Sequence, residues 1–173
     1  MKINIEYNDN IDIFSKDVTF EQRLKKYVLD KCPLANAFSN YVPVFLLGGA
    51  IRDLMYAKEP KDLDFMILDS RFEDLIPKAL ERLNIDYKFN RFGGYKFVSN
   101  GIEVDLWAND DMFSAIEYNV DGLFFDLSKN ELVSLTFDDF IKNGLIKVNY
   151  NNNIDVERVE KLKQFEKKFR NNL

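Results

Sequence analysis

The sequence predicts an α/β (α+β) protein whose mixed β-sheet is flanked by helices. Two patterns lead to this fold class. Between residues 42 and 83, apolar runs alternate with helical periodicity in the order strand, helix, strand, helix. Further along the chain, the turn signals Gly93-Gly94 and Asn100-Gly101 separate short strand-like runs, as in β-hairpins. The second pattern predicts that antiparallel strands extend the sheet.

Helices are predicted where apolar residues recur three and four positions apart. The first opens at Thr19, because its hydroxyl and Gln22 fit a capping box, and it is expected to end near Cys32-Pro33. The C-terminal helix carries charges of both signs on its other faces, which is typical of a solvated amphipathic helix. The predicted helical segments after the first run from about Ala50 to Tyr56, from Phe72 to Leu83, over Phe137 to Ile141 and from about Ile154 to Phe169.

The predicted strands are short apolar runs that end at glycine, proline or polar residues. The run from Val42 to Leu47 stops at Gly48-Gly49 and is interpreted as a buried strand that feeds a tight turn. The next strand, Asp62 to Leu68, follows a charged turn that contains Pro60. The remaining predicted strands are Tyr87 to Arg91, Tyr95 to Val98, Ile102 to Trp107, Leu123 to Leu127 and Glu131 to Val133.

The 173 residues are expected to form one domain, because 46% of them are apolar and a core of that size needs no disulfide or structural metal. Within it we predict an N-terminal helical extension over residues 1–41, a core over 42–150 and the C-terminal helix over 151–173. The chain has no run of 18 apolar residues, and its first residues lack the features of a secretion signal. A cytoplasmic protein with no membrane partner is therefore expected.

The residue types exclude several classes of site. With no histidine, the chain cannot build a Ser-His-Asp or Cys-His nucleophile or a histidine-ligated metal centre. Its single cysteine, Cys32, cannot form an internal disulfide and is expected to be a small buried residue. The net charge of −5 predicts no extended basic surface for nucleic acid. Catalysis must therefore come from carboxylates, Lys, Arg, Tyr, the backbone or a bound metal.

Three aspartates provide the strongest sign of chemistry. Asp62 and Asp64 lie two positions apart in an apolar strand, so both carboxylates project from one face. Asp105 lies in a later strand, between Val104 and Leu106, and its carboxylate completes the cluster if that strand neighbours the first. Converging carboxylates repel one another unless a cation neutralises them, and oxygen ligands suit Mg²⁺. The pattern predicts a site for two Mg²⁺ ions, with Mn²⁺ as a substitute, that would assist an in-line displacement.

A glycine pair upstream predicts a phosphate site. Gly48-Gly49 ends a buried strand and opens a helix that carries Arg52 and Asp53 in its first turn. Glycines let the backbone approach a phosphate closely, and a helix N-terminus offers free N–H groups and a partial positive charge. Arg52 adds a fork of hydrogen-bond donors. We therefore expect Gly48, Gly49 and Arg52 to seat a triphosphate.

Two further pairs of polar residues have alternative interpretations. Asn119 and Asp121 alternate along a short segment and could reach a nucleotide, although turn or capping roles account for them equally well. Asp110-Asp111 follow a strand and are interpreted as a helix N-cap region, outside the metal site.

Three segments together resemble the head domain of CCA-adding enzymes and bacterial poly(A) polymerases, which belong to the DNA polymerase beta-like nucleotidyltransferase superfamily. They are Gly48-Gly49-Ala50-Ile51-Arg52-Asp53, Pro60-Lys61-Asp62-Leu63-Asp64 and Val104-Asp105-Leu106. The resemblance covers about residues 42 to 170. It implies that Asp62, Asp64 and Asp105 form the catalytic metal site, with Asp105 assisting deprotonation of the acceptor. It also implies a nucleotide site that consists of Gly48, Gly49, Arg52 and Asp53.

The residues and the resemblance together predict a magnesium-dependent nucleotidyltransferase. It would move a nucleoside monophosphate from a nucleoside triphosphate, such as ATP, to an acceptor hydroxyl and release pyrophosphate. The family's arginine pair is replaced here by Ala115-Ile116-Glu117, and the neck, body and tail that hold tRNA are expected to lie beyond Leu173. The acceptor thus stays open among a small molecule, a protein hydroxyl and an RNA end. The alternative is a non-catalytic, antitoxin-like nucleotide-binding module of the same fold.

Overall fold

A computed structural model describes residues 3–90, 93–149 and 155–172, which form a seven-stranded sheet with helices packed against it. The strands are β1 (Val44–Leu46), β2 (Asp62–Ile67), β3 (Tyr87–Phe89), β4 (Tyr95–Ser99), β5 (Ile102–Ala108), β6 (Leu123–Asp126) and β7 (Glu131–Ser134). The helices are α1 (Phe20–Lys31), α2 (Pro33–Phe38), α3 (Gly48–Met55), α4 (Leu75–Arg82), α5 (Phe137–Asn143) and α6 (Val156–Asn171). Short 3-10 turns lie at Asp12–Phe14, Ser70–Phe72, Met112–Ala115 and Asn119–Asp121.

The order of the strands in the sheet is β3-β4-β5-β2-β1-β6-β7. Strands β2 and β5 pair in parallel, and the other neighbouring pairs are antiparallel. The sheet is therefore mixed, with its parallel pair near the centre, and the hairpins β3-β4-β5 and β6-β7 extend it on either side. This arrangement confirms the predicted fold class and the predicted antiparallel extension.

Local signals located most of these elements. Helix α1 begins with the predicted capping box, in which Gln22 N donates to Thr19 Oγ1 (3.2 Å) and Thr19 N donates to Gln22 Oε1 (2.9 Å). The β4–β5 turn places Asn100 and Gly101 at positive φ, as a two-residue hairpin turn requires. Asp111 Oδ1 accepts from Phe113 N (2.9 Å) and caps the following 3-10 turn, which confirms its interpretation as an N-cap residue.

The structure also corrects several predicted boundaries. Helix α2 was not predicted; it arises because Pro33, which ends α1, is itself a favourable first residue of a helix. Helix α3 begins at Gly48 rather than near Ala50, so the glycine pair is the first turn of the helix and not a separate turn before it. The ends predicted at Arg91 and Ile154 lie outside the described residues, and α6 starts after Asp155, whose Oδ1 accepts from Arg158 N (3.2 Å).

The sheet has a large core on one face and a small one on the other. On the first face, side chains from all six helices pack against alternate strand residues such as Leu63, Phe65 and Val104. Cys32 is part of this core, as predicted, and burial raises the pKa of its thiol to about 11. On the second face, Phe45 and Phe124 form a smaller cluster with residues of the Met112–Ala115 turn. The helices therefore leave much of the second face accessible.

Within the described ranges, none of the helices combines the length and the apolar character that crossing a membrane requires.

Candidate active site

Two of the three predicted acids lie side by side on the less covered face of the sheet. Asp64 on β2 and Asp105 on β5 are register partners in the parallel strand pair. The next residues of β2 on either side of Asp64, Leu63 and Phe65, are completely buried on the opposite face. The condition stated for Asp105, that its strand neighbours the strand of Asp64, is therefore met.

The carboxyl group of Asp64 lies in an electrostatically unfavourable place. Burial raises its pKa from the ordinary 3.8 to about 7, and the nearby carboxylates of Asp62 and Asp105 act in the same direction. Lys96 and Arg158 oppose this effect only in part. A carboxyl group held in this way gains from any cation that approaches it, since the cation would offset both the desolvation and the repulsion.

Asp105 is held by two residues that the sequence analysis did not identify. Asn90 Nδ2 donates a hydrogen bond to Asp105 Oδ1 (3.1 Å). Lys96 Nζ lies 3.6 Å from Asp105 Oδ2, and Lys96 is the register partner of Asp105 in the antiparallel β4–β5 pair. The Asp105 side chain is 20% exposed, so both contacts are partly screened by solvent.

The three acids do not form a closed set of metal ligands in this conformation. Asp62 is exposed at the start of β2, on the same face as Asp64 but outside the cleft described below. Among residues 3–90, 93–149 and 155–172, no three acidic or cysteine side chains are close enough together to hold a metal ion. Asp64 and Asp105 are positioned to share a cation, whereas Asp62 would have to approach them.

The N-terminus of α3 follows the end of β1 and lines the same cleft as Asp64 and Asp105. Leu47 N donates to Asp64 O (2.9 Å), which ties the end of β1 to β2. Leu47 then occupies the N-cap position of α3, and an apolar side chain cannot accept from the first-turn amide groups. Gly48 and Gly49 both line the cleft, so the free N–H groups of this turn are close to the acids.

Arg52 is more constrained than the sequence analysis expected. Its Nη1 donates to Val120 O (3.2 Å) and lies 3.6 Å from Asp121 Oδ1, and its guanidinium stacks 5.6 Å from the centre of the Phe165 ring. Burial lowers the pKa of Arg52, although Asp121 acts in the opposite direction. Arg52 lines the cleft, but part of its donor fork already binds the protein.

Asp121 connects Arg52 to a second arginine that the sequence analysis missed. Asp121 Oδ2 accepts from Arg158 Nη2 (2.8 Å) and from Tyr118 N (2.9 Å). Arg158 projects from α6 and also reaches Glu117 Oε2 (3.2 Å). The capping residue Asp155 was the only local signal at this position, because the approach of α6 to the cleft depends on tertiary packing.

Two predicted nucleotide-binding residues do not face the cleft. Asp53 does not line the cleft, although the preceding residue, Arg52, does. Asn119 is completely buried: its Nδ2 donates to Asp139 Oδ2 (2.8 Å) and Gly144 O (2.8 Å), and its Oδ1 accepts from Ile146 N (3.0 Å). The amide of Asn119 therefore holds the loop after α5, which is the structural role that the sequence allowed equally well, and a contact with a nucleotide stays a prediction.

These elements enclose a cleft of about 660 Å³ on the less covered face of the sheet. It has an acidic wall, formed by the strands, and a basic wall, formed by α3 and α6. The residues that line it are Leu47, Gly48, Gly49, Arg52, Asp64, Asn90, Gly94, Asp105, Trp107, Asn109, Ser114, Ala115, Asp121 and Arg158. A cleft of this size can hold a small polar ligand.

The mixed sheet, the glycine-initiated helix after β1 and the register of β2 with β5 make up a fold that this chain shares with solved structures of other proteins. The resemblance predicted from the sequence is confirmed at the level of the fold by solved structures that are similar to this chain. No protein-family model matches the chain, and no curated protein matches it in sequence.

Three of the solved structures are nucleotidyltransferases. A CCA-adding enzyme of Thermotoga maritima in complex with tRNA has a TM-score of 0.57 at 16% identity, over 86% of this chain and 38% of its own. A CCA-adding enzyme in complex with CTP has a TM-score of 0.57 at 16% identity, over 84% of this chain and 38% of its own. A tRNA nucleotidyltransferase with a primer tRNA and an incoming ATP analogue has a TM-score of 0.52 at 13% identity, over 68% of this chain and 39% of its own. This chain thus spans about two fifths of the length of these enzymes.

Proposed function

We propose that this protein is a nucleotidyltransferase that moves a nucleoside monophosphate from a nucleoside triphosphate to an acceptor hydroxyl. The observation that carries the proposal is the pairing of Asp64 with Asp105 in one cleft with the uncapped N-terminus of α3. A pair of carboxylates beside a phosphate-binding helix end provides the two opposite charges that phosphoryl chemistry requires.

The chain's own residues divide this reaction between the two walls. On the basic wall, the first-turn N–H groups of α3 would bind the triphosphate, and Arg52 and Arg158 would add positive charge beside it. On the acidic wall, Asp105 would accept the proton of the acceptor hydroxyl. The acceptor oxygen then forms a bond to the α-phosphorus, and the bond from that phosphorus to the bridging oxygen breaks, so that pyrophosphate leaves.

Asp62, Asp64 and Asp105 are the residues that would hold Mg²⁺ or Mn²⁺, as one or two ions. The raised pKa of Asp64 supports this role, since a cation would offset both the burial and the repulsion from Asp62 and Asp105 that raise it. When bound, the metal would neutralise charge on the attacking oxygen and on the leaving pyrophosphate. Lys96 already occupies one side of Asp105, so its ammonium group would compete with the ion.

The similar structures support a nucleotide substrate, because those enzymes were solved with CTP and with an ATP analogue. Their second substrate, tRNA, is bound by proteins of which this chain matches about two fifths. We therefore assign the chemistry to this chain and leave the acceptor among a small molecule, a protein hydroxyl and an RNA end.

A second candidate function is favoured by the internal contacts of the site. Lys96 and Asn90 bind Asp105, and Asp121 holds both arginines. A cleft whose charges are paired within the protein could bind a nucleotide without turning it over. In that case, the chain would be a regulatory, antitoxin-like nucleotide-binding module of the same fold.

Pyrophosphate release separates the two functions. The protein is incubated with each of the four nucleoside triphosphates and Mg²⁺, with and without cell extract as a source of acceptors. We expect pyrophosphate release that falls by about 10³-fold or more in Asp64→Asn and Asp105→Asn, because each change removes several kcal/mol of charge stabilisation. Asp110→Asn is the control, since Asp110 binds Ser70 outside the cleft.

Nucleotide and metal binding complete the test. We expect Mg²⁺ to raise the melting temperature of the wild-type protein above pH 7 and to have little effect on Asp64→Asn. If a nucleotide binds but neither extract nor metal leads to pyrophosphate release, the protein is the regulatory module. Equal activity of wild type and Asp64→Asn would contradict the enzyme assignment.

A further inference from the structure

A row of four charged side chains crosses the less covered face of the sheet. Lys88 on β3 is the register partner of Lys96 on β4, Lys96 is the partner of Asp105 on β5, and Asp105 is the partner of Asp64 on β2. Register partners project from the same face, so these residues form a line from the sheet edge to the centre of the cleft. The two cations lie on the side of Asp105 that faces away from α3.

The two lysines form an unfavourable pair in the sheet. Like charges directly opposite each other on neighbouring strands destabilise the pairing. Lys96 has a partial counter-charge in Asp105, at 3.6 Å, and its side chain is 45% exposed. Lys88 is exposed and has no carboxylate within ion-pair distance among residues 3–90, 93–149 and 155–172. An anion between the two ammonium groups would remove their repulsion.

A second depression in the surface adjoins the row. Its volume is about 580 Å³, and both lysines line it together with Val98. Two carboxylates, those of Asp86 and Glu103, also line it, but within the described part of the chain neither forms an ion pair with a lysine. Lys96 therefore contacts Asp105 of the first cleft and lines the second depression, which makes the two spaces neighbours.

We propose that Lys88 and Lys96 form an anion-binding subsite for the acceptor, and that the acceptor carries a phosphate group near its reacting hydroxyl. This inference rests on the proposed function. Neighbouring strands lie roughly 5 Å apart, so a phosphate between the two lysines would be roughly 5 to 10 Å from a hydroxyl at Asp105. Two ammonium groups match the charge of a phosphate monoester, and lysine binds phosphate as a point charge.

That separation fits two sources of phosphate. A small sugar or polyol phosphate has a hydroxyl a few bonds from its phosphate, and so does the terminal nucleotide of an RNA. The shared requirement is a phosphate on the acceptor side of Asp105, separate from the triphosphate on the α3 side. An uncharged acceptor or a plain protein hydroxyl would leave the lysine pair without a ligand.

Binding of small probes tests the subsite without turnover. The 173-residue chain, labelled with ¹⁵N, is titrated with glycerol 3-phosphate and with a short oligonucleotide, and with glycerol as the uncharged control. We expect at least one of the two phosphorylated probes to shift the amide signals of β4, and glycerol not to shift them. The variants Lys88→Gln and Lys96→Gln should raise the Kd of that probe by about tenfold, as expected for the loss of one charged hydrogen bond.

Lys129→Gln is the matched control, because Lys129 is an exposed lysine in the β6–β7 turn, at the opposite edge of the sheet. It should leave the Kd unchanged. Preference for glycerol 3-phosphate over the oligonucleotide identifies a small acceptor, and the reverse identifies an RNA end. Failure of both phosphorylated probes to shift β4, or equal affinity in wild type and Lys88→Gln, overturns the subsite.

Turnover distinguishes this inference from the proposed function. Once transfer is detected, Lys88→Gln should raise KM for the acceptor while KM for the nucleoside triphosphate stays within about twofold, since Lys88 lies beyond Asp105 from α3. A rise in the KM of the nucleotide alone would contradict the subsite. Transfer without any effect of the lysines overturns the subsite only, whereas phosphate binding without transfer overturns the proposed enzyme and the acceptor role, and leaves an anion site at the two lysines.

Discussion

The two walls of the cleft differ in how their charges are balanced. On the acidic wall, Asp64 and Asp105 are fixed next to each other by the pairing of β2 with β5, and the pKa of Asp64 is raised to about 7. On the basic wall, Arg52 and Arg158 share the carboxylate of Asp121. Backbone hydrogen bonds thus hold the acidic wall together against its own repulsion, whereas side-chain ion pairs hold the basic wall.

This difference indicates that the basic wall raises the free energy of unfolding and that the acidic wall lowers it. Groups with perturbed ionisation cluster where a protein binds or reacts with a ligand, and their placement is often unfavourable for folding. The Asp121 network, in contrast, links the Asn119–Asp121 turn to α3 and to α6. Substitutions on the two walls should therefore change stability in opposite directions.

The largest expected effect is on the basic wall. Asp121→Ala should lower the free energy of unfolding by about 3 to 5 kcal/mol, because the carboxylate is 8% exposed and its loss removes the counter-charge that Arg52 and Arg158 share and the acceptor of the Tyr118 N–H. Urea denaturation measures the change. Asp17→Ala, at an exposed position, should alter stability by less than about 0.5 kcal/mol. Equal stability of the two variants would show that the network contributes nothing.

Removing a charge from the acidic wall should raise the free energy of unfolding instead of lowering it, and only at higher pH. Because the pKa of Asp64 in the folded protein, about 7, exceeds the ordinary 3.8, the folded state binds an extra proton between these values. The free energy of unfolding should therefore fall as pH rises from 4 to 7. Asp64→Asn removes this dependence and should be more stable than wild type at pH 8 by on the order of 2 to 4 kcal/mol.

Urea denaturation between pH 4 and pH 8 checks this difference. Asp17→Asn serves as the control, since its side chain is exposed and its curve should parallel that of the wild type. Parallel curves for Asp64→Asn and wild type would mean that the acidic wall does not strain the fold, and the contrast between the walls would be lost.

The acidic wall was also the more predictable one. Asp62 and Asp64 share a face because side chains alternate along any strand, and that rule needs no tertiary information. The fold class and the capping box of α1 follow in the same way from local spacing. Local patterns thus identified the strands, the first helix and the acids, of which Asp64 and Asp105 line the cleft.

The contacts around those acids depend on register and packing, which local patterns do not specify. Lys96 reaches Asp105 because of the β4–β5 register, and Arg158 reaches Asp121 because α6 folds back over the cleft. The two roles left open for Asn119 could not be separated for the related reason that its partners lie in a loop distant in sequence. The sequence therefore predicted the acids and Arg52, but not the contacts that Lys96 and Arg158 make with the acids.

The two glycines at the junction of the two walls, Gly48 and Gly49, differ in how much space surrounds them. A Cβ on the buried Gly48 would lie 3.0 Å from Arg52 Nη1 and 3.2 Å from Leu123 O, so packing alone explains this glycine. A Cβ on the exposed Gly49 would lie 3.9 Å from its nearest neighbour, Arg52 Nη2, so the fold accepts a side chain there. The proposed approach of a phosphate to this turn would instead account for the absence of a side chain at Gly49.

The two alanine variants should accordingly separate stability from binding. Gly48→Ala should be less stable than Gly49→Ala by about 1 to 2 kcal/mol, because the Leu123 carbonyl must move, while alanine in the first turn of α3 costs nothing at Gly49. Gly49→Ala should weaken nucleotide binding about tenfold, equivalent to about 1.4 kcal/mol, with unchanged or higher stability. Denaturation and nucleotide titration of the same two proteins measure both quantities. If Gly49→Ala binds the nucleotide as tightly as the wild type does, the proposed position of the phosphate at the N-terminus of α3 is wrong.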